Sequence, residues 1–350
     1  MTVTLRSFAK INLGLYIGGL RPDGYHDLRT VYQTIVWHDL IRVTAARGSG
    51  IEILSNDPRV PRDDSNTCHR IADRVLAELG AQTKVTIEIE KRLPVQGGLG
   101  AASSNAVATM LALERVLKKR LSGAVRLRIA ADVGSDLPLF LVGGTVLGVG
   151  RGEEVYPQPE LPALPIVVVT PQIGVSTPRA FADWDASSSG QITPQLTHPG
   201  PSDRLLEAGR VLSSWLAGST DTGAPMRAGS RAGSLILDLV RAGIANDFEK
   251  VVFPQYPELR DIKRAFERSG AVYASLSGSG SALYGLFRSR QAAATAVRRL
   301  HKQGLKAHLT ATLTRAQYWK KSLVASRSLP VLSFSNSCFD VLLAHTKGFY

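Results

Sequence analysis

Apolar and polar positions change period several times along the 350 residues. Near the start, Ala9, Ile11, Leu13, Leu15 and Ile17 alternate with Lys10, Asn12, Gly14 and Tyr16, which predicts a strand with one apolar face. Period two sets Lys10 and Asn12 side by side on the opposite face. Arg21-Pro22-Asp23-Gly24 then reads as a turn, with Pro second and Gly fourth, and Tyr25-His26-Asp27-Leu28 follows it. Val85 to Glu90 alternates again and predicts a half-buried strand. Val107, Met110, Leu111, Leu113 and Leu117 recur at helical spacing, and Ser103, Ser104 and Asn105 are the residue types that start such a helix. A further helix is expected over 125–133, closed by Gly134 in the left-handed conformation.

In the second half, Ile166 to Thr170 reads as a buried strand. Ser, Gly, Pro and Thr dominate 185–201 and 218–234, which predicts loops or mobile segments around one short helix over 204–216. Leu259, Ile262, Ala265 and Phe266 mark a helix that ends at Gly270. Strand 272–276, the loop Ser277-Gly278-Ser279-Gly280-Ser281, strand 283–287, helix 291–302 and strand 306–310 follow, and this α-β-β-α-β order predicts a ferredoxin-like half. Residues 315–350 hold five Lys/Arg against one Asp and an unpatterned apolar run, which predicts a disordered tail or a segment laid on the surface.

The chemistry centres on Pro94-Val95-Gln96-Gly97-Gly98-Leu99-Gly100-Ala101-Ala102-Ser103-Ser104, between the strand ending at Glu90 and the helix through Val107. Glycines let a backbone turn tightly and approach a ligand without a Cβ in the way. A helix start adds unpaired N–H groups and the positive end of a dipole. The combination suits an anion such as phosphate, although the glycines alone also fit an ordinary strand-to-helix loop. It is not a Walker loop, since Ala101 follows Gly100 and no Lys appears before Lys118. The dinucleotide fingerprint fails at Ser103, and His69-Arg70-Ile71 and Asp247-Phe248-Glu249 are not the protein-kinase elements.

Other candidates are read less directly. Asp136, in Ser135-Asp136-Leu137-Pro138, is either the cap of a short turn or a carboxylate for proton transfer. Tyr25 can stack on a base and His26 can bond a base edge, or the two can simply pack. Phe181 is open in the same way, as a stacking ring or as core at a helix start. A formal charge of +13 favours anionic partners. Its Lys and Arg are scattered, with small knots at Lys118-Lys119-Arg120 and Arg298-Arg299, which reads as solvated helix faces and not as a nucleic-acid footprint. Cys68 and Cys338 form no metal or redox motif and fit a reducing cytosol. Met1 leads into Thr2-Val3-Thr4-Leu5-Arg6, without the apolar core of a signal peptide, and no apolar run has membrane-spanning length. The length suits two domains.

The form Pro-x-x-x-Gly-Leu-Gly-x-x-Ser-Ser resembles the ATP loop of the GHMP kinases, with Ala101 and Ala102 where glycine is usual. Ala9-Lys10-Ile11-Asn12-Leu13 and Asp23-Gly24-Tyr25-His26 resemble the branch whose acceptor is cytidine diphosphate-linked methylerythritol. Gly134, Asp136, Pro138 and Phe140 match a further element, and the resemblance runs over about residues 3–319. It implies an α+β, two-domain fold: a ribosomal-S5-like α/β domain over 1–160, a ferredoxin-like domain over 161–319, then an extension over 320–350. It implies ATP-dependent phosphorylation of the acceptor's 2-hydroxyl, in the non-mevalonate route to isoprenoid precursors. ATP and Mg²⁺ follow from it, as do a cytoplasmic setting, no nucleic-acid or membrane partner, and a monomer or weak homodimer.

Residue roles come from the same source. Lys10 and Asp136 would be catalytic. Residues 94–104 would cradle ATP, with Ser103 or Ser104 helping to place the metal. Asn12, Tyr25, His26, Thr177 and Phe181 would bind the acceptor, with Tyr25 and Phe181 sandwiching the cytosine. Loop 277–281 would pack beneath the phosphate loop, and Asn246-Asp247-Phe248-Glu249 would be structural. The alternatives are a GHMP kinase for homoserine, mevalonate or another small alcohol, and a non-catalytic binding protein on the same fold.

Overall fold

The computed structural model describes residues 1–95, 97–189, 206, 209–210 and 243–324. Strands β1 (Thr2–Leu20) and β2 (His26–Ala46) form a long antiparallel hairpin. Its turn is the expected one, closed by Gly24 N–H donating to Arg21 O at 3.0 Å. Strands β3 (Ile51–Ser55), β4 (Lys84–Glu90), β5 (Thr145–Val149) and β6 (Glu154–Pro157) complete a sheet ordered β3-β4-β2-β5-β6, with β1 on β2. Helices α1 (Thr67–Glu78), α2 (Ala101–Leu117), α3 (Gly123–Val133) and α4 (Leu137–Val142) bury their apolar residues in one core with this sheet. Ile71, Val75, Met110 and Leu113 meet Ile41, Val43 and Ile87 there.

The second sheet contains β7 (Pro165–Val169), β8 (Tyr273–Leu276), β9 (Leu283–Leu286) and β10 (Ala307–Ala311), antiparallel throughout in the order β10-β7-β9-β8. With β7 as its first strand this is the 4-1-3-2 order of a ferredoxin-like half. The sequence reading had left β7 out of that unit. Among the described residues, helices α5 (Thr177–Ser189), α6 (Glu249–Gln255), α7 (Pro257–Arg268) and α8 (Arg290–Lys302) belong to this half. β1 is the seam between the halves: Leu5 enters the first core, Ala9, Ile11 and Leu13 pack with Ile166, Val168 and Tyr284, and Leu15 and Ile17 pack with Val167 and Phe248.

Three expectations change, and for 315–322 the packed alternative holds over the disordered one. Helix α2 starts at Ala101, capped by Gly100 in the left-handed region (φ 66°), so Ser103 to Asn105 lie inside the helix, past its cap. Gly134 has φ 174°, which is extended, and does not close α3 in the left-handed way. α5 runs through Asp185 to Ser189: buried Ala180 and Trp184 anchor it just before the predicted loop onset, and Ser187 Oγ donates back to Trp184 O at 2.8 Å. Residues 315–322 form helix α9 (Arg315–Ser322), whose Tyr318 packs on Phe8 and donates to Phe140 O at 2.7 Å. Gln96, the predicted helix over 204–216 apart from 206, 209 and 210, loop 218–234, Cys338 and the tail from 325 lie outside the described residues.

One buried carboxylate joins three elements beside the glycine loop. Asp39 of β2 is fully buried and accepts from Arg92 N and Leu93 N, both at 2.7 Å, and from Asn105 Nδ2 of α2 at 3.0 Å. It also pairs with Lys91, itself nearly buried. Asp39→Ala leaves that ammonium and two backbone N–H groups without their acceptor. It should cost about 3–5 kcal/mol of stability. Urea denaturation checks this, and a loss below about 1 kcal/mol would show the node to be dispensable.

Candidate active site

The glycine loop after β4 crosses the edge of β1 and touches the second sheet. Lys10 N–H donates to Leu99 O at 3.0 Å, and Ser277 Oγ donates to Gly98 O at 2.8 Å. Gly98 has φ +71°, and a Cβ there would lie 2.1 Å from Ser277 O. Gly100, also left-handed, leaves its space to Lys10 and Phe140, which a Cβ would meet at 2.9 and 3.0 Å. No side chain caps α2, so its first N–H groups open toward the loop.

Two clefts meet on this loop. The smaller, about 320 Å³, is lined by residues 94, 95 and 97–103 together with Val60, Cys68 and Ile89. Burial pushes the Cys68 thiol up to about 12, so this cysteine is an inert part of the wall. The larger cleft, about 700 Å³, holds Lys10, Asn12, Tyr25, His26, Asp136, Thr177 and Phe181. Gly98 and Ser103 belong to both. Ser104 does not: it is buried, and its hydroxyl accepts from Ser7 Oγ at 2.7 Å. Of the two serines considered for the metal, Ser103 faces the clefts.

Lys10 and Asn12 reach the larger cleft through irregular pairing. The register between β1 and β2 shifts between Phe8 and Lys10 and again between Asn12 and Gly14. Such shifts bend a strand and re-aim its side chains. Lys10 Nζ donates to Asn12 Oδ1 at 2.7 Å and lies 3.4 Å from Asp136 Oδ2. Asn12 Nδ2 donates to Thr30 Oγ1 at 2.7 Å. Asp136 sits at the N-terminal cap position of α4 but caps nothing with its side chain. Its Oδ1 instead accepts from Tyr32 Oη at 2.9 Å. Burial, with Asp136 beside it, pushes the Tyr32 hydroxyl well above its ordinary value, which keeps it a donor.

The aromatic end is arranged differently from the simple sandwich. His26 stacks on Phe181 at 5.0 Å and 9°, and its Nε2 is 2.7 Å from Asp185 Oδ1. The histidine ring is 6% exposed, so one face and one edge are already engaged by protein. Tyr25 stands half-exposed with the Arg151 guanidinium 4.9 Å from its ring centre. Each of Tyr25 and Phe181 thus has one face backed by protein. Thr177 Oγ1 and Ser279 Oγ are hydrogen-bonded at 2.7 Å across the cleft floor.

Sequence reasoning missed Tyr32, Arg151 and Asp185. Tyr32 was indistinguishable from a packed strand residue, and Asp185 was read as loop. Gly150-Arg151-Gly152, a cation between two glycines, is a turn pattern that could have been singled out.

Comparison with known proteins adds a second line of support. The GHMP kinases N terminal domain matches residues 66–144, and the GHMP kinases C terminal model matches 230–306. A 4-diphosphocytidyl-2-C-methyl-D-erythritol kinase from Solibacter usitatus is 40% identical over 291 residues, 82% of each chain. The chain belongs to the GHMP kinase family. A second relative of the same name, from Moorella thermoacetica, is 34% identical over 89% of this chain and 99% of its own. A crystal structure titled 4-(cytidine 5'-diphospho)-2C-methyl-D-erythritol kinase superposes with a TM-score of 0.66 at 27% identity, covering 88% of this chain and 98% of that one. A homoserine kinase from Cytophaga hutchinsonii superposes with a TM-score of 0.64 at 19% identity, over 89% and 95% of the two chains, which speaks for the fold alone. This GHMP kinase is an ATP-dependent small-molecule kinase with the expected α+β fold.

The loop geometry yields a test. Gly98→Ala drives a methyl group into Ser277 O and strains a positive φ. ATP affinity by calorimetry should fall at least about tenfold, roughly 1.4 kcal/mol. Gly123→Ala, at a helix start where a Cβ meets nothing within 4 Å, should leave it unchanged. A Gly98→Ala affinity within a factor of two of wild type, on the order of 0.4 kcal/mol, would move ATP elsewhere.

Proposed function

We propose that this kinase transfers the γ-phosphate of ATP to the 2-hydroxyl of 4-diphosphocytidyl-2-C-methyl-D-erythritol, in the non-mevalonate route to isoprenoid precursors. The observation that carries the reading is the wall shared by the two clefts at Gly98 and Ser103, with the Lys10–Asp136 pair lining the larger. ATP in the smaller cleft would lay its phosphates on the loop and the start of α2, with its terminal phosphate at that wall. The acceptor would enter from the other side. Phosphoryl transfer passes through a loose transition state, so catalysis is mainly positioning and charge neutralisation. Asp136 takes the hydroxyl proton, while Lys10 balances its charge and the charge developing on the transferred group. Tyr32 and Asn12 hold Asp136 and Lys10 in place. In this reading residues 1–160 supply the loop and the acid–base pair. Residues 161–319 add Thr177, Phe181 and the loop beneath.

Mg²⁺ suits the donors present. It favours phosphate and water oxygens with one or two protein groups. Among the described residues no group of three or more His, Cys, Asp or Glu forms a protein cage. The Ser103 hydroxyl on the shared wall would hold the ion against the phosphates, where its charge offsets theirs. A cytoplasmic enzyme fits this chemistry, and no helix among the described residues is long and apolar enough to cross a membrane.

At the nucleotide end Tyr25 and Phe181 would stack on the cytosine, Phe181 being held by His26 at 5.0 Å and by Phe248 at 4.9 Å. The Asp136 role is tested by Asp136→Asn, which should lower kcat by about 10²- to 10⁴-fold with ATP affinity kept. A variant that keeps more than half of the activity would remove Asp136 from the mechanism. Stacking on an aromatic ring contributes about 1–3 kcal/mol per base. Tyr25→Ala should therefore raise KM for the cytidylyl acceptor roughly 5- to 150-fold and leave KM for ATP alone. A shift in the ATP constant instead would assign Tyr25 to the adenine.

A further inference from the structure

We propose that Arg151 is a specificity residue that holds the diphosphate of the acceptor. The inference rests on the acceptor reading above. Arg151 occupies the Gly150-Arg151-Gly152 turn between β5 and β6, and both flanking glycines are left-handed. Gly150 O accepts from Leu28 N at 2.6 Å, which ties the turn to β2. On one side, Gly152 faces Tyr32: a Cβ there would lie 2.5 Å from the Tyr32 hydroxyl that holds Asp136. On the other side, the Arg151 guanidinium lies 4.9 Å from the centre of the Tyr25 ring. The turn therefore spans the gap between the base platform and the reacting carboxylate. A substrate with its base on Tyr25 and its hydroxyl at Asp136 must carry its linker across that gap.

The charges in the cleft point the same way. Lys10 and Arg151 are the Lys and Arg among its described lining residues. Lys10 is engaged by Asn12 and Asp136. Arg151 donates from its backbone N–H and from Nε to the two carboxylate oxygens of Glu153, at 2.6 and 3.1 Å. That fixes the arm and leaves both terminal nitrogens without a hydrogen-bond partner among the described residues. A planar guanidinium held by one edge, with its other edge open to the cleft, suits two phosphate oxygens. The guanidinium itself lies over one face of Tyr25 and so leaves the opposite face for the base.

Competition experiments on the full-length enzyme separate this role from a structural one. The probes are CDP and cytidine, each measured as an inhibitor competitive with the acceptor at saturating ATP. Wild type should bind CDP about 10- to 100-fold more tightly than cytidine, the worth of a charge-assisted pair of hydrogen bonds. In Arg151→Met that ratio should fall to near one, with the cytidine constant and KM for ATP unchanged and KM for the acceptor raised by a similar factor. Methionine puts an uncharged side chain of comparable length beside Tyr25, and the backbone N–H of residue 151 still reaches Glu153. Arg151→Lys should restore part of the ratio as a point charge. An Arg151→Met enzyme that still prefers CDP overturns the Arg151 inference alone. A loss of cytidine and CDP binding in equal measure also overturns it, and makes Arg151 a support for Tyr25. A wild type competitively inhibited by neither probe overturns the acceptor reading and this inference with it.

Discussion

A loop built from glycine and alanine cannot hold itself, because it has few side chains with which to do so. In this kinase the loop is held from outside. Ser277 Oγ donates to Gly98 O, Ala282 N–H donates to Gly97 O, and Lys10 N–H donates to Leu99 O. The Ser277 contact is itself fixed one layer further out. Asn246 Nδ2 donates to Leu276 O and Gly278 O, and Glu249 accepts from Ser275 Oγ and Leu276 N. Asp247 takes Ile17 N–H of β1. The Asn246-Asp247-Phe248-Glu249 element thus joins the end of β8, where Ser277 holds the glycine loop, to the strand that carries Lys10, which is the structural part expected of it.

This arrangement explains why the two halves share one core along β1. The glycine loop, Lys10 on β1 and Asp136 at the start of α4 belong to the first half, while the clasp comes from the second. Each contact is short-range and polar, so a shift of an ångström between the sheets would break several hydrogen bonds at once. Continuous burial of Ala9, Ile11 and Leu13 against Ile166, Val168 and Tyr284 resists such a shift. Packing at the seam and chemistry at the loop are therefore coupled, and positioning is what phosphoryl transfer most requires.

Much of this was legible in the chain. Alternation set Lys10 and Asn12 side by side, and the run from Pro94 to Ser104 read as a candidate anion loop between a strand and a helix, which is where the fold puts it. The limits have physical causes. Ser104 is a good capping residue by type, but Gly100 reaches the left-handed conformation and starts the helix earlier, so Ser104 turns into the core toward Ser7. Gly134 shows the converse, a glycine that uses no special conformation. The Tyr32–Asp136 and His26–Asp185 contacts join residues 104 and 159 positions apart. No local period records such pairs, since only the folded sheet brings them together. The stacking of His26 on Phe181 likewise depends on how α5 meets β2, which neither segment encodes alone.

The central claim is that one wall of glycine and serine separates ATP from a cytidylyl alcohol. Its most direct measurement is ³¹P NMR of the purified kinase with ATP, Mg²⁺ and, in separate tubes, 4-diphosphocytidyl-2-C-methyl-D-erythritol, homoserine and mevalonate. The account predicts ADP together with one new phosphomonoester resonance in the first tube, and ATP unchanged in the other two. A phosphomonoester formed from homoserine or mevalonate, with the cytidylyl alcohol left untouched, would contradict it.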